Sequence, residues 1–256
     1  MRTNLVKQNL RAGKLQLGTG FGQFRSPEIP KLLAAAGFQW AFLDTEHGGF
    51  DLETVQDICR VSVMAGLCPI VRVGDLQYSL VARALDCGAQ GIIFPRVESP
   101  ELLERAVSWT KFPPAGIRGY GLTAMQVDYE PLTFKQIIEH MNANIMVVLQ
   151  IETRRALDAR DELLSVPGID AVMIGPADLS ISLGVPGEFQ HPTMVEAMEA
   201  VRASCVSHSI APGVQTRSVA VAKFWKERGM LFLGCSNDGG MLYERATEVV
   251  SQIGTA

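Results

Sequence analysis

Ile145-Met146-Val147-Val148-Leu149-Gln150-Ile151-Glu152 and Ala171-Val172-Met173-Ile174-Gly175-Pro176-Ala177-Asp178 are two apolar runs that each run on to a carboxylate. Four to five apolar, partly β-branched residues ended by Gly, Pro or a charge read as buried parallel strands. Residues 153–166 between them have helical length and mixed polarity, so the whole reads as one βαβ unit with its strands side by side in a parallel sheet. Neighbouring strands lie about 4.8 Å apart. Carboxylates at the same ends of two such strands can therefore reach one small ion or one substrate. A plainer reading is that Glu152 caps the next helix and Asp178 starts a turn.

The same rhythm extends outward in both directions. Strand-like runs occupy residues 15–20, 40–43, 69–73 and 91–96 before this unit, and 211–214 and 230–234 after it. Helix-like runs cover 4–12, 27–36, 52–65, 78–87, 101–109, 134–141, 195–207, 219–227 and 240–253, several of them closed by Gly. Residues 111–130 are too rich in Gly and Pro for an element interior and read as a long loop. Eight strands alternating with helices predict an α/β protein, a (β/α)8 TIM barrel, over residues 1–256 as one domain. An open doubly wound sheet is the alternative, but Gly18-Thr19-Gly20-Phe21-Gly22 lacks the GxGxxG spacing of its phosphate loop.

Composition narrows the function. The chain has 256 residues, 47% of them apolar, and a net charge of −4. No basic run supports nucleic-acid binding. No apolar run is long enough for a membrane span, and the first residues do not resemble a secretion signal, so the expected location is cytoplasmic. Cys59, Cys68, Cys87, Cys205 and Cys235 are scattered, form no CxxC, and are expected to be reduced.

In a barrel the chemistry sits at the carboxyl ends of the strands. Those ends hold Asp44, Glu46 and His47, then Arg72, then Glu152 and Asp178, then Gln215. Glu152 and Asp178, with no His or Cys beside them, suit a hard cation such as Mg²⁺ or Mn²⁺, with Co²⁺ as a third candidate. A 2-oxo acid can complete such a site, with the metal as a Lewis acid for an enolate. Arg72 can hold the same oxyanion. Gln150 and Gly175-Pro176, with the N–H groups of Ala177 and Asp178, can bind the substrate carboxylate. His47 is the natural base, and Asp44 three residues earlier can orient it. Arg72 paired with Asp44, a loop histidine and a capping Asp178 are the plain readings of these residues. No lysine falls at a strand end, which argues against a Schiff-base aldolase.

With these residues the sequence resembles the HpcH/HpaI aldolase family of metal-dependent class II pyruvate aldolases. The matching stretches are Leu43-Asp44-Thr45-Glu46-His47, Pro69-Ile70-Val71-Arg72-Val73, Leu85-Asp86-Cys87-Gly88-Ala89-Gln90, Pro113-Pro114-Ala115-Gly116-Ile117-Arg118-Gly119, Gln150-Ile151-Glu152 and Ile174-Gly175-Pro176-Ala177-Asp178-Leu179-Ser180. The resemblance implies a pyruvate-type (β/α)8 barrel and a carbon-carbon lyase that splits 4-hydroxy-2-oxo acids into pyruvate and an aldehyde. It implies metal ligands at Glu152 and Asp178, a base dyad of His47 and Asp44, and an enolate-stabilising Arg72. It also implies a homo-oligomer, trimer or hexamer, with the C-terminal helix at the interface and Asp86 near subunit contacts. Glu46 and Gln215 are candidates for the acceptor aldehyde or an interface. Gln215, Arg96 and the Asn237-Asp238-Gly239-Gly240 turn depart from the heptanedioate-aldolase pattern and leave the aldehyde open. Oxaloacetate decarboxylation or acyl-CoA lysis by the same enolate chemistry is the second reading. A catalytically idle barrel that binds an oxo acid is the third.

Overall fold

A computed structural model of the protein describes residues 1–254. Eight parallel strands close into a barrel in sequence order. They are β1 (Gln16–Phe21), β2 (Trp40–Asp44), β3 (Cys68–Arg72), β4 (Gly91–Phe94), β5 (Met146–Ile151), β6 (Ala171–Ile174), β7 (Gly213–Thr216) and β8 (Phe232–Asn237). The helices are α1 (Leu5–Arg11), α2 (Ile29–Ala35), α3 (Leu52–Ala65), α4 (Tyr78–Asp86), α5 (Pro100–Ser108) and α6 (Phe134–Asn144), then α7 (Arg154–Asp158), α8 (Arg160–Leu164), α9 (Pro176–Ser182), α10 (Pro192–Ser207), α11 (Val219–Glu227) and α12 (Asp238–Ile253). The (β/α)8 expectation holds, and several boundaries shift.

The expected helix over 153–166 is two short helices that meet at Ala159, whose φ of −87° and ψ of 10° leave the helical region. The next residue, Arg160, donates to the Leu157 carbonyl and to the Ser204 hydroxyl on α10. The seventh strand begins at Gly213 rather than Ala211, because Pro212 has no N–H for the ladder; Ala211 keeps one isolated bridge to Ala171. The eighth strand runs on into Cys235-Ser236-Asn237, polar residues that follow no apolar pattern because they face the open end of the barrel. The short α9 had no signal beyond Pro176 at its first position. Within residues 111–130 the structure adds only a 3₁₀ turn, Ala124–Val127.

Strand residues alternate between two apolar cores. Trp40, Phe42, Ile70, Ile93, Met146, Val148, Met173 and Phe232 fill the barrel interior, closed from below by Val6 and Leu10 of α1. Leu43, Val71, Ile92, Val147, Leu149, Val172 and Leu233 pack outward against the helices. Trp40 and Phe232 stack with centroids 4.0 Å apart, and the Trp40 indole N–H donates to the Gln16 carbonyl. That stack needs glycine next to it: a Cβ at Gly18 would lie 2.1 Å from the Trp40 ring. Three of the cysteines, Cys59, Cys68 and Cys205, are buried, and burial pushes the Cys68 and Cys205 thiols up to about 12. Such thiols are unreactive. No helix among the described residues is long and apolar enough to cross a membrane.

Candidate active site

Register explains the first cluster. Asp44 and Arg72 are partners across β2 and β3. Arg72 Nε donates to Asp44 Oδ1 at 3.1 Å and Nη2 to Oδ2 at 2.6 Å, a bidentate fork. Arg72 Nη1 lies 3.1 Å from Glu46 Oε2, an ion pair without aligned hydrogen-bond geometry, since that oxygen has no hydrogen-bond partner. The guanidinium is thus clamped between two carboxylates. Burial alone would raise the Asp44 carboxyl, but the hydrogen bonds and charge of Arg72, with the N–H groups of His47 and Glu46, outweigh it and hold Asp44 below its ordinary range.

Two expectations for this loop need correction. Asp44 accepts the backbone N–H groups of Glu46 and His47, each at 3.1 Å, and its carboxylate is otherwise committed to Arg72. The contact between Asp44 and His47 is therefore to the main chain and not to the ring. The acid that the His47 ring approaches is Glu46, with Nε2 3.8 Å from Oε1. Glu46, expected as an acceptor or interface candidate, has its side chain buried between Arg72 and Arg96.

The second cluster follows from β5 and β6. Gln150 pairs with Met173 and Ile151 with Ile174, which sets Glu152 beside Gly175. Gln150 and Glu152 lie on the same strand face, and the Gln150 amide donates to Glu152 Oε2. Both residues are 2% exposed. Glu152 Oε1 accepts the Arg96 backbone N–H at 2.9 Å. A Cβ on Gly175 would stand 2.9 Å from Glu152 Oε2 and 3.0 Å from Gln150 Nε2, so glycine is what makes room for the carboxylate. Asp178 enters on the first turn of α9, half exposed, with Oδ1 4.0 Å from Arg96 Nη2. No side chain caps that turn, which leaves the N–H groups of Ala177 and Asp178 without intrahelical partners. Burial raises the Glu152 carboxyl above its ordinary value, and the charges of Glu46 and Asp178 add to it against the bonds from Gln150 and Arg96.

A cavity of about 690 Å³ is lined by members of both clusters, though not by Glu46 or Glu152 themselves. Asp44, His47, Arg72, Gln150, Gly175, Pro176, Ala177, Asp178 and Gln215 all line it. Gln215 donates to the Ser236 carbonyl at 2.8 Å and keeps a buried Oε1 with no partner. Asp86 does not line it. It ends α4 ahead of β4, at the amino end of the barrel, where its Oδ1 is 2.7 Å from Arg118 Nη2.

The residues fit a divalent cation. The donor set is oxygen only, Glu152 is raised by burial and, beyond it, by the negative charges of Glu46 and Asp178 that a cation offsets, and the Gln150 Oε1 is buried without a partner. Among the described residues no cluster of three or more His, Cys, Asp or Glu forms a closed metal cage.

The HpcH/HpaI aldolase/citrate lyase family profile matches residues 21–242. The chain belongs to this family. It is 34% identical over 251 residues to the 4-hydroxy-2-oxo-heptane-1,7-dioate aldolase of Salmonella dublin, covering 98% of this chain and 95% of that one. The crystal structure of an HpcH/HpaI aldolase from Desulfitobacterium hafniense DCB-2 superposes with a TM-score of 0.93 at 32% identity, covering 98% of this chain and 97% of that one. One from Burkholderia cenocepacia J2315, an HpcH/HpaI aldolase/citrate lyase family protein, gives 0.91 at 31% identity, with 98% and 99% covered. The protein is accordingly a carbon-carbon lyase of the aldolase type.

Arg217 escaped the sequence reading of this HpcH/HpaI barrel, and the contacts of Asp238 and Arg96, noted there only as departures, were not foreseen. Asp238, 6% exposed, accepts the N–H groups of Gly22, Gln23 and Phe24 and so ties α12 to the loop after β1. Its place one residue after an Asn N-cap was the available signal. Arg217 lines the cavity mouth beside Ser218; nothing in sequence distinguishes it from a surface arginine. Arg96 was legible only as a departure near the acceptor, yet it does not line the cavity and bonds the carboxylates behind it.

Proposed function

We propose that the protein is a divalent-metal-dependent aldolase that cleaves, and in reverse forms, 4-hydroxy-2-oxo acids, with pyruvate or a related 2-oxo acid as one product. The observation that carries this is the convergence of Arg72, His47, Gln150, Glu152 and Asp178 on one end of the barrel. Glu152 and Asp178 hold Mg²⁺, Mn²⁺ or Co²⁺, which when bound supplies Lewis-acid polarisation of the oxo acid.

The chain's own residues do the rest. The unpaired N–H groups of Ala177 and Asp178 donate to the substrate carboxylate, with the Gln150 amide beside them. Arg72 has five N–H donors, and Asp44 takes two of them. Those left over meet the oxygen on which negative charge develops, and the Asp44–Glu46 clamp fixes the guanidinium plane beforehand. His47, largely exposed at the cavity rim, takes the proton from the 4-hydroxyl in cleavage and returns it in condensation.

The aldehyde end lies toward Gln215, Arg217 and Ser218. Of the charged side chains lining the cavity, Arg72 is paired with Asp44, and Asp238 is spent on backbone N–H groups. Arg217 is uncommitted among the described residues, which favours an aldehyde with an anionic end. The matched relatives' substrate name, a 1,7-dioate, has that character. A single free arginine is too little for the phosphates of an acyl-CoA, so that reading is disfavoured. Oxaloacetate decarboxylation uses the same residues and remains the second reading, since the family description also covers citrate lyase.

The test is pyruvate release from a panel of 4-hydroxy-2-oxo acids, with enzyme stripped by chelator and then reloaded. Activity lost on stripping and regained with Mg²⁺ or Mn²⁺ is the expected result. Full activity in chelator contradicts the metal assignment.

A further inference from the structure

Arg96 touches three carboxylates at once. Its φ of 54° lies in a region that non-glycine residues seldom occupy. That conformation delivers the backbone N–H to Glu152 Oε1 at 2.9 Å, while Nε donates to Glu46 Oε1 at 3.1 Å and Nη2 stands 4.0 Å from Asp178 Oδ1. The backbone contact does not depend on the side chain's identity. The charge does.

The local charge balance gives that guanidinium a purpose. Arg72 and Asp44 neutralise each other in their fork. Glu46, Glu152 and Asp178 remain, three negative charges against Arg96 alone, so the ionised cluster carries two net negative charges. A divalent cation matches that number. Without Arg96 the cluster would carry three.

We propose that the Arg96 guanidinium is a built-in counter-cation that sets the metal affinity of the site. It lets three carboxylates sit together before metal arrives, and by the same charge it weakens the hold on a divalent ion and keeps that ion exchangeable. The inference rests on Glu152 and Asp178 being the metal ligands. It assigns Arg96 to the metal side of the site rather than to the aldehyde.

The experiment is a Mn²⁺ titration followed by the electron paramagnetic resonance signal of free Mn²⁺, at low and high salt. The proteins are wild type, Arg96→Gln, Arg96→Lys and Glu152→Gln. Glutamine removes the charge and, like arginine, bears a Cβ, so the backbone cost at this position is retained. The expected result is binding roughly tenfold tighter in Arg96→Gln than in wild type, with Arg96→Lys near wild type and Glu152→Gln not binding. The gap should narrow at high salt, because the Arg96 side chain is largely exposed and its charge is screened. A lost hydrogen bond would not respond to salt in that way. If wild type binds and Arg96→Gln binds equally or more weakly, or Arg96→Lys behaves like Arg96→Gln, the counter-cation role is wrong. If wild type takes up no Mn²⁺, or Glu152→Gln binds as wild type does, the ligand assignment itself fails and takes this inference with it. Circular-dichroism melts check the variants, and Arg96→Met replaces the glutamine variant if that one melts early.

Discussion

At the scale of single residues, the site depends on shape as much as on charge. Arg72 holds Asp44 through a planar fork and faces Glu46 with its third nitrogen. A lysine offers one point charge and cannot do both. Arg72→Lys should lower kcat about a hundredfold while Mn²⁺ affinity changes little; a steady-state assay beside a metal titration checks both. Gly175→Ala tests the cradle under Glu152, because the new Cβ falls 2.9 Å from Oε2. The expected outcome is weaker metal binding with a thermal midpoint close to wild type. An unchanged metal affinity would mean that the carboxylate shifts freely. Asp44, His47, Arg72, Glu152 and Asp178 were legible in sequence because strand ends collect them. The Arg72–Asp44 pair was legible too, as the plain reading of those residues; that it leaves His47 without the Asp44 side chain was not, since the partner of Asp44 is set by register across β2 and β3 and not by its distance along the chain from His47.

At the scale of elements, the strands announced themselves by apolar runs and the long helices by periodicity and glycine stops. What failed was local: Pro212 displaced β7, Ala159 broke a helix into α7 and α8, and α9 was too short to show a period. Gly18 illustrates a constraint that periodicity cannot carry. It faces Trp40 inside the barrel, so Gly18→Ala should cost about 1–3 kcal/mol as the indole is forced off its stack on Phe232. Urea unfolding measures this. Beneath the barrel, α1 brings Lys7 to Asp170 at 3.0 Å, and both Lys7 and Lys111 donate to the Ile145 carbonyl. Burial, followed by the charge of Lys7, pushes the Lys111 amine down to about 7. Its folded pKa is below its unfolded value, so the unfolded chain binds more protons between pH 7 and the ordinary lysine range. Stability gained from this group is therefore full above about pH 10.4 and is lost as pH falls toward 7. Lys111→Met should flatten the dependence of unfolding free energy on pH across that window. An unchanged slope would show that Lys111 is not buried as a neutral amine.

At the scale of the whole molecule, α12 is held to the barrel by its first turn and leaves an apolar face exposed beyond it. Leu242, Tyr243, Val249, Val250 and Ile253 are exposed along it, while Asp238 at its start is anchored to the loop after β1. We propose that this helix packs against another copy of the chain in a trimer or hexamer, and light scattering of wild type and Val250→Glu should show loss of the larger species in the variant. Catalysis turns on one claim at this scale: that the open end of the barrel, with Glu152, Asp178, Arg72 and His47, polarises a 2-oxo acid through a divalent ion. Exchange of pyruvate methyl protons in D₂O, followed by NMR, tests it without knowledge of the aldehyde. Exchange that requires Mg²⁺ or Mn²⁺ and disappears in chelator is the predicted result. Exchange that persists in chelator, or no exchange with any divalent metal, would contradict it.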